Sequence, residues 1–216
     1  MHTPYLLNLA SPDPEISRKS TAGLLDSLNR AGMLGASCVV THMGSHKGSG
    51  AEAGIRQICR SVDTALKRSD PSVTLLLENS AGSGDSMGAL FEEIRSILDR
   101  TAHWGKRVGI CLDTAHAWGA GYNLSSAEAV EETIGLFSTL VGIDNLKLVH
   151  LNDTKIPLGT RRDRHANIGN GFIGEEGFSA IVNHPALARL AGIIETPGRP
   201  EGEENDLDIM KRLRMT

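Results

Sequence analysis

The sequence has no apolar run approaching the roughly eighteen residues that a membrane-spanning helix needs. Met1 is followed at once by the polar His2, which is not the start of a signal peptide, so the expected location is the cytoplasm. Cysteine is scarce. Cys38, Cys59 and Cys111 are odd in number, and their spacing makes neither a zinc knuckle nor a disulfide framework. Cys38 and Cys111 sit in apolar runs and read as small buried hydrophobes. There is also no basic excess. With 26 acidic and 22 basic residues the formal charge is -4, which by itself argues against a nucleic-acid partner. Bound dications would change that sum, because a count of side chains omits them. Low-complexity segments and long linkers are absent as well. What remains is 216 residues, 40% hydrophobic and 22% charged, which suits one domain, residues 1–216, with a sizeable core.

Strand-like and helix-like stretches alternate. Strands are expected at Tyr5–Leu9, Ser37–Thr41, Val73–Leu77, Val108–Leu112, Leu146–Val149 and Ala191–Ile194. These runs are short and apolar without alternation, as in strands buried on both faces. Helices are expected at Ser20–Met33, Ala51–Leu66, Met87–Leu98 and Ser126–Leu140, with short ones near Glu176–Val182 and Leu207–Leu213. About six βα units in series give a parallel sheet with right-handed crossovers, either an open sheet or a barrel. The strand ends favour a barrel. His42, Glu78, Asp113, His150 and Glu195 all lie at or just past a C-terminal strand end, and catalytic groups on several strand ends are a barrel's arrangement. His2 is the exception, since it precedes its expected strand.

A carboxylate at the mouth of a buried strand costs several kcal/mol if unpaired, on the order of what a single ion loses on burial. Glu78 and Glu195 therefore need a cation or a metal, or else a structural salt bridge. Asp113 and His116 form an Asp-x-x-His pair that can face one cavity and bind one metal or two adjacent ones. Asp163 and His165 flank Arg164, and in an extended loop the two would point the same way and share a metal. Arg161, Arg162 and Arg164 form a short basic cluster, which is either a solvated face or, beside a metal site, a phosphate-contacting loop. His46 is a weaker ligand candidate, and His103 and His184 read as ordinary histidines. The candidate ligands are then His2, His42, Glu78, Asp113, His116, His150, Asp163, His165 and Glu195. That exceeds what one zinc ion takes and suits two or three ions with mixed nitrogen and oxygen ligation. Imidazole and carboxylate ligands without thiolate favour zinc, with manganese or iron as substitutes. Such multi-metal sites commonly cleave phosphate esters.

The segments HTPYLLNL, THMGSHKG, LLLENSAG, CLDTAHAWGAGY, HLNDTK, GTRRDRHANIG and IIETP, in that order, closely resemble the endonuclease IV family of apurinic/apyrimidinic DNA endonucleases. The match runs from His2 to Glu195. The resemblance implies a TIM barrel with three zinc ions at its C-terminal face. His2 and His42 would bind the first ion, and Glu78 would bridge the first and second. Asp113, His150 and Glu195 would complete the second, and His116, Asp163 and His165 the third. Tyr5 and Leu6 would help displace bases at the lesion. The implied reaction is hydrolysis of the phosphodiester 5′ to an abasic sugar, leaving a 3′-hydroxyl and a 5′-deoxyribose phosphate. Glu78 would position the metal-bound hydroxide that attacks, and no side chain would act as a covalent nucleophile. The implied partner is double-stranded DNA containing abasic sites, with the enzyme at the nucleoid when it acts. A monomer with no membrane attachment and no organic cofactor is expected.

The family normally has two further βα units before the histidine matched by His2. The expected fold is therefore an N-terminally truncated (β/α)8-like barrel with about six units, its open edges a liability for folding and solubility. Two rival readings are a sugar-metabolising, xylose-isomerase-like barrel, and an inactive fragment or metal-containing damaged-DNA-binding protein without turnover. The first would leave Asp163, His165 and the arginine cluster without a task.

Overall fold

The computed structural model describes residues 1–214. They form two compact units, one spanning Met1–Cys111 and the other running from Leu112 onward.

In the first unit, α1 (Pro14–Met33) leads into β1 (Cys38–His42), followed by α2 (Ala51–Leu66), β2 (Thr74–Glu78), α3 (Phe91–Arg100) and β3 (Val108–Asp113), whose last two residues enter the second unit. The strands are parallel. β1 pairs with β2, with His42 opposite Glu78, and β2 pairs with β3 through Glu78 opposite Cys111. Val39, Val40, Leu75, Leu76, Leu77 and Ile110 are all buried, so the central residues lack a solvent-facing side. The helices cover this ladder with one apolar stripe each: Leu24 and Leu28 from α1, Ile58 and Val62 from α2, Phe91 and Ile94 from α3. Each such side chain contributes about 1.5–3 kcal/mol by leaving water. No helix among the described residues is long and apolar enough to cross a membrane.

The second unit continues with α4 (Thr114–Ala120), α5 (Ala127–Leu140), β4 (Leu146–His150), a two-residue antiparallel ladder of β5 (Asp153–Thr154) and β6 (His165–Ala166), then α6 (Gly174–Asn183), β7 (Ala191–Ile193) and α7 (Asp206–Leu213). β4 and β7 are parallel, with His150 opposite Ile193. All three residues of β7 are exposed.

Several expectations need correction. Tyr5–Leu9 is not a strand. Pro4 has no N–H to give to a ladder, and the chain turns there, leaving Tyr5 82% and Leu6 89% exposed. The sheet contact lies earlier. His2 bridges Val40 in parallel, with Val40 N–H donating to the Met1 carbonyl and Thr3 N–H to the Val40 carbonyl. His2 thus lies within its sheet contact rather than before a strand. Helix α1 starts at Pro14 instead of Ser20, because Asp13 accepts hydrogen bonds from the Glu15 and Ile16 amides and Pro14 suits the first turn. Met33, the last residue of α1, is exposed. Helix α3 starts at Phe91 instead of Met87, since Gly88 takes φ +86° and its carbonyl accepts from the Ser80 amide. Cys38 is only half-buried, whereas Cys59 and Cys111 are buried, and burial pushes the Cys59 thiol up to about 11.

Candidate metal centre

Four of the parallel strands end on a ligand candidate, among them β1 on His42, β2 on Glu78 and β4 on His150. β3 ends on Asp113, which also caps α4 by accepting the His116 amide at 2.8 Å. The cap explains the three-residue spacing. It places His116 in the first turn of α4, with its ring beside the carboxylate that starts the helix.

In the first unit, His2, His42 and Glu78 each offer an atom within 4.8 Å of the others. Nε2 of His2 lies 3.0 Å and Nε2 of His42 3.2 Å from the same Glu78 Oε2. Glu78 is 1% exposed. His2 Nδ1 lies 2.7 Å from the Thr3 carbonyl, so the Nδ1 proton is donated there, and in the neutral ring Nε2 turns its lone pair toward the carboxylate. A lone pair facing an anion at that distance is repulsive unless a proton or a metal ion lies between them. Tyr5, although exposed, sets its ring edge-on to His42 with centroids 5.6 Å apart.

The second unit holds two groups. Asp113, His116 and His165 form one; Asp113, His150 and Glu195 form the other, again with donor atoms within 4.8 Å. His150 Nδ1 is 3.1 Å from Glu195 Oε2 and 3.9 Å from Asp113 Oδ2. Asp163 lies across the imidazoles of the first group, with Oδ2 3.3 Å from His116 Nε2 and Oδ1 3.2 Å from His165 Nε2. His165 repeats the logic of His2. Its Nδ1 meets the Glu195 carbonyl at 3.1 Å, while the buried Nε2 makes no hydrogen bond of good geometry. Burial raises the Asp163 carboxyl, but the two imidazoles outweigh it and hold the group well below the usual range. Burial lowers His165, but Asp163 and the charge of Asp113 outweigh that and raise it to about 9. Nitrogen and oxygen donors in this number, without thiolate, fit a divalent metal of zinc's type.

Arg161, Arg162 and Arg164 are exposed in the loop between β5 and β6, the loop that also carries Asp163. Arg161 takes φ +56° and donates its amide to the Gly119 carbonyl. His46 meets the Gly50 amide and Asp85, outside these groups, while His103 pairs with Asp63 and His184 with Glu131.

Two buried residues have roles that the sequence reading did not assign. Asn152 donates to Asp113 Oδ2 at 2.6 Å and accepts the Glu195 amide at 2.7 Å, so one amide side chain spans two ligand candidates. Thr114 supports it, its hydroxyl donating to the Asn152 carbonyl at 2.7 Å and accepting the Asn152 amide at 2.9 Å. Asp153 is fully buried among backbone amides. The available signal was position: both follow the His150 strand with only Leu151 between, where an apolar run breaks into polar residues.

Residues 1–214 match the family model described as a xylose isomerase-like TIM barrel. The chain is 40% identical over 214 residues to a probable endonuclease 4 of Halothermothrix orenii, covering 99% of this chain and 76% of that protein. It is 46% identical over 197 residues to a probable endonuclease 4 of Methanoculleus marisnigri, covering 91% and 70%. The crystal structure of endonuclease IV from Thermus thermophilus superposes with a TM-score of 0.84 at 32% identity, covering 99% of this chain and 74% of that one. A D-tagatose 3-epimerase-like protein superposes at 0.74 with 21% identity, a likeness of fold alone. The TIM barrel that the resemblance implies, and whose barrel form the strand ends favoured, agrees with these matches, and the chain belongs to the endonuclease IV family.

Proposed function

We propose that this chain is a zinc-dependent DNA repair endonuclease. It hydrolyses the phosphodiester 5′ to an abasic site in double-stranded DNA, leaving a 3′-hydroxyl and a 5′-deoxyribose phosphate. The observation that carries this reading is the convergence of two histidine Nε2 atoms on one buried oxygen of Glu78, repeated in kind around Asp113. His2, His42 and Glu78 are proposed to hold one ion. Asp113, His150 and Glu195 hold a second, and His116, Asp163 and His165 a third, with Asp113 close enough to serve both of the latter groups. When bound, the ions supply an activated water and positive charge against the phosphate and the departing oxygen.

The chain's own residues then have separable tasks. The Thr3 and Glu195 carbonyls fix the tautomers of His2 and His165, keeping each Nε2 available as a donor. Glu78, at the end of a rigid strand, sets the position of both first-unit histidines. Tyr5, edge-on to His42, and the neighbouring Leu6 expose two large side chains suited to fill the gap left by a missing base. Arg161, Arg162 and Arg164 offer positive charge to the DNA backbone, which offsets the chain's net charge of -4 locally.

The test uses the purified chain loaded with zinc, a metal count, and a duplex carrying one tetrahydrofuran abasic analogue. Incision on the 5′ side, independent of added magnesium and lost after prolonged chelation, is expected. Glu78→Gln should lower incision by at least about a hundredfold, as expected when a transition-state charge is left unsupported. Binding without incision, or full incision by the variant, would overturn the proposal.

A further inference from the structure

The β5–β6 ladder holds only two residue pairs, Asp153 with Ala166 and Thr154 with His165. Between its strands runs the loop that carries Asp163 and the three arginines. A ladder this short is not stable by itself, so something else must hold β6.

The Asp153 carboxylate accepts five backbone amides. Oδ1 takes those of Thr154 at 2.8 Å and Ile173 at 3.0 Å. Oδ2 takes those of Gly169 at 3.0 Å, Gly171 at 2.9 Å and Gly174, the first residue of α6, at 3.3 Å. The segment that leaves β6 therefore wraps around this one side chain. Glycine makes the approach possible. A Cβ on Gly171 would lie 2.3 Å from Asp153 Oδ1 and 2.4 Å from the Thr154 carbonyl oxygen, and Gly169 and Gly174 take φ of +82° and +70°. With both oxygens engaged by amides, Asp153 is occupied as an anchor rather than a metal ligand. The Phe172 amide adds a bond to the Thr154 carbonyl at 2.9 Å, closing the wrap onto β5.

We propose that Asp153 is a positioning residue: by gathering the amides of residues 169–174 it fixes β6, and so presents His165 and Asp163 to the Asp113–His116 group. This rests on the reading of those four residues as metal ligands. Metal sites tolerate ligand displacements of only about 0.2 Å, so a loosened β6 should register in metal affinity.

The experiment uses the whole chain, Zn2+ alone as the probe in competition with a chromophoric chelator, and amide hydrogen exchange of the metal-free protein. In Asp153→Asn the shape is kept, but one acceptor oxygen is replaced by an NH2 group facing N–H donors. Exchange across residues 165–174 should quicken at least tenfold. One zinc equivalent should bind about 10–100-fold more weakly, the usual effect of losing an outer support of a metal ligand, and the remaining equivalents should be unchanged. Gly171→Ala keeps the carboxylate but pushes the wrap away from it, and should reproduce both effects; it carries the test if Asp153→Asn fails to fold. Parental zinc affinity in both variants would overturn this proposal alone, even with faster exchange. A parent chain that takes up no zinc would overturn the metal reading and this proposal with it.

Discussion

Replacing Asn152 by leucine would keep the shape of a fully buried side chain and remove its polar ends. The backbone bonds between Asn152 and the Thr114 hydroxyl would survive, because they do not involve the amide side chain. Two other bonds would not. Asp113, 0% exposed, would lose a donor 2.6 Å away, and a hydrogen bond to a buried charge is worth about 1.5–3 kcal/mol. The Glu195 amide would lose its acceptor, at about 1 kcal/mol because its surroundings are part-solvated. The apolar leucine would return roughly 1 kcal/mol on burial. The net cost is about 1.5–3 kcal/mol in the metal-free protein, a large share of a typical stability of about 5–15 kcal/mol. With a urea slope of about 2 kcal/mol/M, the midpoint should fall by roughly 1 M. In the metal-bearing protein, the ion that Asp113 and Glu195 are proposed to share should bind about 10–100-fold more weakly. Urea unfolding of the chelated variant, followed by far-UV circular dichroism, gives the first number, and chelator competition with zinc gives the second. A midpoint within about 0.3 M of the parent, together with an unchanged zinc affinity, would refute the claim that Asn152 supports these ligands.

Two further outcomes are expected. Because His165 is raised to about 9, it is protonated at pH 7 in the metal-free chain, and its contribution to stability is fully present below its ordinary value of 6.5 and lost as pH rises through about 9. Zinc must displace that proton, so titration calorimetry in buffers of different ionisation enthalpy should show proton release at pH 7, and affinity at this group should rise about tenfold per pH unit toward 9; a flat profile with no proton release would contradict the assignment. Arg162→Ala should weaken binding to all duplexes alike and reduce the slope of log affinity against log salt by about 0.9 if the side chain meets one phosphate, and an unchanged slope would remove Arg162 from the interface.

Much of the site was legible because a polar residue at the end of a buried parallel strand has no other ready explanation. His42, Glu78, Asp113 and His150 are each the last residue of their strand, and the apolar runs before them marked the place. Asp163 and His165 were legible as an alternating pair, and they do converge. Asn152 and Asp153 were not, because a side chain that acts by hydrogen bonding to another carboxylate or to backbone amides leaves no signature in residue type or spacing. The β5–β6 ladder was invisible for a related reason: two residues per strand are too few to show a period. The misread strand at Tyr5–Leu9 shows the opposite error. Part of its apolar content, which normally signals burial, belongs to Tyr5 and Leu6, side chains held out in solvent, while Leu9 is fully buried outside any strand.

The pairing of His42 with Glu78 across neighbouring strands has a consequence for folding. Parallel strands buried on both faces are nearly degenerate under a one-residue slide, since one apolar side chain replaces another. Leu75, Leu76 and Leu77 are identical and could trade places with little change in buried area. Glu78 cannot. A slide of one residue would carry its carboxylate away from His42 and to the other face of the strand, leaving a buried charge without its imidazoles. The residues that would grip the ion are therefore also the punctuation marks that tell β1 and β2 where to stop. Metal content in a freshly refolded sample then doubles as a proofreading signal, counting the molecules whose strands have settled in the correct alignment.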